Sequence, residues 1–334
     1  MSLLWWSAGE EIEFPVKGAL VSSSATATYH RSTYTRAGLF MDTQPYLSVR
    51  AEGSPLAAAV TSLWFNCQFI FNSSAGSRPY VGVASSSTAD GGIFVGNGTD
   101  EHKLALWKEK SDQTVTKLAS ESGTNFSLTT LHRIDMQITT FNNAATNIKI
   151  YLEGNSTPAI DWTGDTTGLG FTTLNCFRTL GDNGSWTAVS EIILADEDTR
   201  HFIGVASLAP SAAGDTNTWD SGAYTDIDEI VLDDTDMLKS GTAAQEFNCN
   251  LTDLPAGDFD VAGVKVTARA VKGASGPTKL GLGVRTGATD STVDNSLTLA
   301  LASYDRLMTQ NPITVAAWTI AQVTALQVCL KSVA

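Results

Sequence analysis

The stretch Val264-Lys265-Val266-Thr267-Ala268-Arg269-Ala270 lies in the last quarter of the chain, and its apolar and polar residues alternate. A period of two places one set of side chains against a core and leaves the other in water, which predicts a half-buried strand. Residues 280–285 and 297–301 repeat the alternation. No cluster of acids, bases or nucleophiles accompanies these strands, so the end of the chain favours a scaffold or contact module.

The same alternation recurs in the first half of the chain. In Leu63-Trp64-Phe65-Asn66-Cys67-Gln68-Phe69-Ile70-Phe71 every odd position is apolar, which predicts a strand with one face on a core. Residues 132–138 and 148–152 alternate on either side of Asn142-Asn143, which predicts a hairpin. Residues 189–195 form the last strand of this series, and acids follow it.

Composition and length favour a strand-rich fold for the whole chain. Charged residues make up 17% of the 334 residues, and Lys/Glu/Leu-rich helical windows are missing. A chain of this length favours two domains, and residues 206–215 have the small-residue composition of a linker. The sequence therefore predicts an all-β protein with two β-sandwich domains in series, at 1–198 and 215–334. Residues 199–214 are predicted as a linker, and one short helix is expected within 317–326.

Charge and hydropathy exclude several classes of partner. The net charge is −14 and no basic run occurs, so nucleic acid is not an expected partner. No apolar run approaches the length of a membrane span, and none is predicted. The first residues are apolar but lack a basic region, so they do not resemble a secretory signal.

The sequence contains no motif that would carry catalysis. Nucleophile-elbow, zinc-protease and phosphate-loop motifs are absent, and we expect no catalytic residue and no enzyme. The histidines are His30, His102, His132 and His201. His132 falls on the inward parity of its strand, which favours a hydrogen-bonded core or edge histidine over a catalytic base. The four cysteines form no paired metal motif, Cys67 is expected to be a small buried side chain, and the possibility of disulfides stays open.

Aromatic side chains provide one candidate binding site. Aromatic rings stack on sugars, and the candidates for glycan binding are Tyr80, Trp107, Trp162 and Trp186. The alternative is packing in a core or an interface, where large aromatics are common.

An acidic cluster provides a candidate cation site. Asp226, Asp228, Asp233 and Asp234 supply the oxygen donors that calcium prefers, although their spacing matches no EF-hand loop. The alternative is that acids at strand ends are solvated. No other cofactor is expected.

The apolar start of the chain is a candidate assembly contact. Leu3, Leu4, Trp5 and Trp6 could dock on a neighbouring subunit, since an exposed apolar segment otherwise favours aggregation. The alternative, an ordinary first strand of the sandwich, is favoured.

The first part of the chain resembles a known fold family. Residues 134–138 and 148–152, the turn Glu153-Gly154, Trp162 and the stretch Glu191-Ile192-Ile193-Leu194-Ala195-Asp196 are similar in order and pattern to concanavalin A-like, laminin-G-like jelly rolls. The resemblance covers residues 1–198 and implies a jelly-roll first domain. Domains of this type often bind glycans.

The second part resembles a C-terminal module of tailed-bacteriophage virion proteins over residues 204–334. The features that carry the resemblance run in order along the module: Trp219, Tyr224, Ile227-Asp228-Glu229, Asp233-Asp234-Thr235-Asp236, Leu254-Pro255-Ala256-Gly257, 264–272, 279–285, Tyr304, Asn311-Pro312, Ala317-Trp318-Thr319 and Ala325-Leu326-Gln327-Val328. Cys329 departs from the module, where a small residue is expected.

The second resemblance implies a virion location and a non-enzymatic structural role. The protein would belong to the tail or a fibre, or alternatively to the capsid as a decoration or head-fibre protein. Its partners would be other virion proteins and further copies of itself, in rings or trimers that follow the symmetry of the particle. A carbohydrate-binding adhesin that recognises a host-surface glycan is the rival hypothesis, and a glycan-cleaving depolymerase is a weaker one.

Overall fold

The computed structural model of the chain describes residues 3–7, 16–17, 21–24, 38–42, 49–52, 56, 58, 60–72, 80–85, 91–97, 103–112, 114–120, 130–181, 186–202, 204–229 and 233–334. The chain divides into two compact units, Met1–Val205 and Ala206–Ala334. Both are built almost entirely from antiparallel strands, so the prediction of an all-β protein is confirmed.

The first unit contains fifteen described strands. They are β1 (Leu3–Ser7), β2 (Val16–Lys17), β3 (Val21–Ser24), β4 (Gly38–Asp42), β5 (Val49–Glu52), β6 (Leu63–Asn72), β7 (Tyr80–Ala84), β8 (Gly92–Asn97), β9 (Leu104–Glu109), β10 (Val115–Ser120), β11 (His132–Thr139), β12 (Thr146–Leu152), β13 (Ile160–Gly164), β14 (Cys176–Gly181) and β15 (Trp186–Ala195).

Two sheets form this unit as a jelly-roll sandwich. The first has the order β13-β12-β11-β6-β15-β4-β3, with β1 also paired to β15, and the second has the order β10-β9-β8-β7-β14-β5-β2. Side chains from both sheets share one core, for example Phe65 and Ile134 from the first sheet with Val81 and Phe177 from the second. The side chains at the odd positions of β6, from Leu63 to Phe69, face this core, as the alternation of apolar residues in its sequence predicts.

Strand β15 changes partner halfway along its length. Residues 186–189 pair with β4, and residues 192–195 pair with β1. Between them the register with β6 shifts, and Glu191 adopts a positive φ of 51°. This is the geometry of a β-bulge, which re-aims a strand and ends one pairing before another begins.

The second unit contains seven described strands and one helix. They are β16 (Pro210–Asn217), β17 (Glu246–Leu251), β18 (Val264–Ala270), β19 (Lys279–Thr286), β20 (Thr289–Ser296), β21 (Ala302–Met308), β22 (Gln327–Val333) and α1 (Ile320–Thr324). A five-stranded sheet has the order β16-β17-β22-β19-β20, and β18 pairs with β21 in a two-stranded sheet. Phe247, Leu282 and Leu330 of the larger sheet pack in one core with Val266 and Met308 of the smaller.

The predicted short helix within 317–326 is present as α1. Thr319 caps it, because its hydroxyl accepts from Gln322 N at 3.2 Å while the Gln322 side chain accepts from Thr319 N at 3.1 Å. This reciprocal pair is a capping box, which satisfies two backbone donors that a helix start leaves unpaired.

Two local predictions differ from the structure. Residues 210–214, predicted as linker, belong to the edge strand β16, where a proline at the first position costs no ladder hydrogen bond. Residues 297–301, predicted as a strand, form the connection between β20 and β21. Their backbone groups form hydrogen bonds with other connections: Leu297 N donates to Thr278 O, and Thr298 O accepts from Lys272 N.

Candidate functional site

The predicted glycan-stacking aromatics do not form an exposed platform. Tyr80 and Trp107 retain only 5% and 3% exposure, and their rings meet edge to face at 5.4 Å beside Phe94. Trp162 is half-buried against the core of the first unit. The side chain of Trp186 lies outside the described residues. The stacking prediction is therefore wrong for Tyr80 and Trp107, because packing against other aromatics covers their faces.

The apolar start of the chain forms a strand of the first sheet. β1 pairs with β15, and Trp5 stacks on Phe177 in the core with a centroid distance of 6.2 Å. Trp6 packs on the opposite face with Ile193 and is 7% exposed. Leu4 packs partly against the core, and the side chain of Leu3 lies outside the described residues. The predicted assembly contact is therefore wrong for Trp5 and Trp6, since both side chains are buried within their own unit.

The predicted calcium ligands do not converge. Asp226 accepts from Ala223 N at 3.0 Å, and Asp234 pairs with Arg269 at 2.8 Å. Asp233 accepts from both the backbone N and the hydroxyl of Thr235, and these hydrogen bonds lower its pKa. Asp228 is half-buried. None of the four belongs to a group of potential ligands among the described residues, so the calcium prediction is wrong there. Local turns and an ion pair use these carboxylates instead.

One group of potential metal ligands does converge, but its carboxylates belong to an ion-pair network. The ligand atoms of Glu246, Asp290 and Cys329 lie within 4.8 Å of one another on the face of the five-stranded sheet away from the core. Arg285 and Lys331 already bind the Asp290 carboxylate at 2.7 and 2.9 Å. Burial opposes ionisation of Asp290, but hydrogen bonds and charge from Lys331 and Arg285 outweigh it and lower its pKa. Burial also raises the pKa of Cys329 to about 12. A neutral thiol and carboxylates neutralised by cations are poor metal ligands.

The four cysteines and His132 make structural contacts. All four cysteines are free and buried. Burial, followed by the charge of Asp135, raises the pKa of Cys67 well above its ordinary value, so the predicted small buried side chain is confirmed. His132 is hydrogen-bonded to Glu153 at 2.8 Å, as expected for an edge histidine. His30 and His102 lie outside the described residues.

A buried polar network on the outer face of the first sheet was not predicted. Asp135 is fully buried and accepts from Asn66 Nδ2 at 2.8 Å, Thr199 Oγ1 at 2.8 Å and Arg133 Nε at 3.1 Å. Arg200 lies 4.3 Å above the ring of Tyr151. These contacts attach residues 199–200, predicted as linker, to the sheet. The satisfied bonds around Asp135 indicate a structural role.

Beside this network, strands β11, β12 and β13 expose a polar patch, defined as Gln137, Asn147, Lys149, Asp161 and Thr163. Asp161 and Thr163 are exposed, and the other three are half-buried. Asn147 Nδ2 donates to Asp161 Oδ1 at 2.8 Å and to Thr163 Oγ1 at 3.0 Å, and Lys149 lies 3.8 Å from Asp161. The patch presents amide, hydroxyl, ammonium and carboxylate groups on adjacent strands, a combination that suits a ligand with many hydroxyls.

The second unit exposes apolar side chains instead. Among the described residues, all the exposed large hydrophobics belong to it: Met237, Val271, Val293, Leu299, Leu301, Leu307 and Val315. Val271, Leu299 and Leu301 form an apolar tip, since Val271 follows Ala270 and Leu301 precedes Ala302, the pair at one end of the β18–β21 sheet. Lys272 N donates to Thr298 O at 2.8 Å and joins the two connections there. Leu299, between them in the connection, is 77% exposed.

No known family model and no curated protein sequence matches the chain. Solved structures do resemble it. An endo-β-1,4-glucuronan lyase from the fungus Trichoderma reesei is 11% identical with a TM-score of 0.43 and covers 59% of this chain and 96% of its own. The carbohydrate-binding module CBM66 from Bacillus subtilis is 11% identical with a TM-score of 0.33, over 47% of this chain and 91% of its own. A GH16 endo-β-1,3(4)-glucanase is 11% identical with a TM-score of 0.37, over 58% of this chain and 90% of its own.

These likenesses bear on one prediction. The expectation that the protein is not an enzyme is contradicted, because structures that resemble it include polysaccharide lyases and a glucanase. With identities of 11% and 12% and TM-scores of 0.43 or lower, these likenesses assign no activity to this chain. In the described part of the chain, the helices are too short to cross a membrane.

Proposed function

We propose that the protein is a structural component of a bacteriophage particle, associated with its tail or a tail fibre. Copies of the chain assemble with one another and with other virion proteins through the second unit. A position on the capsid, as a decoration or head-fibre protein, is the alternative placement. The resemblance of residues 204–334 to virion modules supports the particle, and the exposed apolar side chains support the assembly.

The observation that carries the proposal is the apolar tip. An alternating run such as 297–301 ordinarily buries one set of its leucines, yet Leu299 and Leu301 remain 77% and 37% exposed. Val271 beside them is 41% exposed. Exposed apolar side chains that cluster at one place favour a protein contact over a solvated surface.

Light scattering on the purified full chain tests the assembly. We expect a mass that is a multiple of the 35.3 kDa chain, and a lower mass for the double variant Leu299→Ser, Leu301→Ser. Thr116→Ala is the control, since Thr116 is exposed on β10 in the first unit and should leave the mass unchanged. A wild-type monomer, or a double variant with unchanged mass, would count against this role for the apolar tip.

A second candidate function is recognition of a host-surface glycan by the first unit. The polar patch favours it, because Asn147, Asp161 and Thr163 already hold one another in a fixed array with free donor and acceptor capacity. We expect a glycan array to detect binding to one glycan class. Asn147→Ala with Thr163→Ala should weaken it by about tenfold, the loss expected from one or two hydrogen bonds. Binding that is equally strong in this variant, or absent from the array altogether, contradicts the assignment.

A further inference from the structure

Among the described residues, one edge of the five-stranded sheet in the second unit is a regular strand with a partner on one side only. The two edges of that sheet are β16 and β20. β16 begins with Pro210 and its pairing shifts register twice, both of which discourage pairing with another chain. β20 pairs with β19 along all eight residues without a shift, and it contains neither proline nor lysine. Such an edge is a template for a further strand.

The hairpin determines which residues of β20 face outward. Thr286 and Thr289 close the two-residue turn between β19 and β20, and the closing pair of such a turn is hydrogen-bonded. Leu297 N donates to Thr278 O at 2.9 Å, so the same alternation of hydrogen-bonded and non-hydrogen-bonded pairs continues beyond β20. The odd residues of β20 therefore bond to β19, and the even residues Asp290, Thr292, Asp294 and Ser296 direct their backbone groups outward. Within the described part of the unit, no strand or turn pairs with these outward groups.

We infer that two copies of this chain join through β20, which pairs antiparallel with β20 of the second copy about a two-fold axis at Val293. Asp290 then lies opposite Ser296, and Thr292 lies opposite Asp294. Each pair occurs twice, because an isologous contact repeats itself. Val293 lies opposite Val293 of the second copy. The two five-stranded sheets become continuous across the axis.

Charge and polarity select this register. Every aspartate meets a hydroxyl group that can donate to it, so the side-chain pairs are self-complementary. An axis at Thr292 would instead place Asp290 opposite Asp294, and an axis at Asp294 would place Asp294 opposite itself. Like charges directly opposite each other are destabilising. Arg285 and Lys331 bind Asp290 and reduce the remaining repulsion across the axis.

The exposure of Val293 supports the same register. Val293 pairs with the fully buried Leu282 and has the parity of the core face, yet it is 52% exposed. A second Val293 directly opposite would cover this surface, since side chains in a non-hydrogen-bonded antiparallel pair lie closest together. The contact deepens the proposed assembly role by naming its partner, a second copy of the chain.

Cysteine cross-linking tests the register. In Val293→Cys the two introduced residues would lie with Cα atoms about 4.5 Å apart, which falls within the range that a disulfide spans. Mild oxidation should convert the full chain to a covalent dimer on a non-reducing gel. Thr289→Cys is the matched control on the same face of the same strand, and its Cα would lie roughly 13 Å from the axis. The four native cysteines are buried and should not compete.

A charge variant tests the contact in solution. Val293→Asp places two carboxylates opposite each other on the axis and should halve the mass measured by light scattering, whereas Thr289→Asp should not change it. A cross-link that forms equally fast in Val293→Cys and Thr289→Cys, or a mass unaffected by Val293→Asp, overturns the inference. If the β20 pairing is overturned in this way, the proposed assembly is still supported provided that the apolar-tip variant lowers the mass. Conversely, Val293 cross-linking with an inert apolar tip supports the strand pairing and rejects the tip.

Discussion

At the scale of single residues, short hydrogen bonds explain side chains that could otherwise have been assigned to a binding site. Asp112, Asp165 and Asp233 each accept from the backbone N of a threonine two residues later. In this arrangement the carboxylate replaces a backbone turn, which is why aspartate is frequent in such loops. Asp233 was a predicted calcium ligand, and the local turn uses its oxygens. An acidic residue followed two positions later by threonine therefore favours a turn over a cation site in this chain.

Val315 is a residue whose backbone conformation conflicts with its side chain. It lies in a turn closed by the hydrogen bonds Val315 N to Asn311 O at 2.8 Å and Asn311 N to Ala316 O at 2.9 Å. Its φ is 56°, in the left-handed region that β-branched residues avoid. The side chain is 75% exposed, so it gains little from burial.

Val315→Asn should stabilise the second unit. Asparagine tolerates the left-handed region, so we expect the free energy of unfolding to rise by about 1 kcal/mol. Calorimetry or thermal unfolding of the full chain measures the change. Val315→Ile is the matched control, because it keeps the β-branch and should show no gain. Equal stability of the Asn and Ile variants would show that the strain has no measurable cost.

At the scale of elements, the five-stranded sheet of the second unit carries charges on one face and a core on the other. Asp290 on β20, Arg285 on β19 and Lys331 on β22 connect three strands through contacts of 2.7 and 2.9 Å. Half-buried pairs of this kind are screened less by solvent than exposed ones. The network therefore contributes to the pairing of the strands, and its contribution depends on pH.

Acid should weaken this network. The net effect of its surroundings lowers the pKa of Asp290 in the folded state. The stabilisation is therefore fully present above the unfolded pKa of about 3.9 and is lost as the pH falls through the lower folded value. We expect Asp290→Asn to be less stable near neutral pH and to depend less on pH below about 4. Urea unfolding at a series of pH values checks this, with the exposed Asp258→Asn as the control. Parallel stability curves for the wild type and Asp290→Asn would contradict the role of the network.

At the scale of the whole molecule, the two units differ in the surface they present. The described surface of the first unit includes the polar patch, whereas Tyr80 and Trp107 are buried. The second unit has all the exposed large hydrophobics found among the described residues. This division agrees with a protein that contacts a hydrophilic ligand through one unit and other protein chains through the other. The net charge of −14 opposes association of identical chains, so contacts between copies require local complementarity such as that along β20.

The all-β class, the core face of β6, a short helix within 317–326 and the burial of Cys67 could be predicted from the sequence. Each follows from local periodicity or spacing, which the backbone geometry of a strand or helix fixes without reference to distant residues. The burial of Trp5, Tyr80 and Trp107, the ion pair of Asp234 with Arg269, and the exposure of Leu299 and Val293 became evident from the fold. These properties depend on which strands lie beside or above a residue. Alternation in the sequence indicates that a strand has two different faces. The pairing and layering of distant segments determine what covers each face.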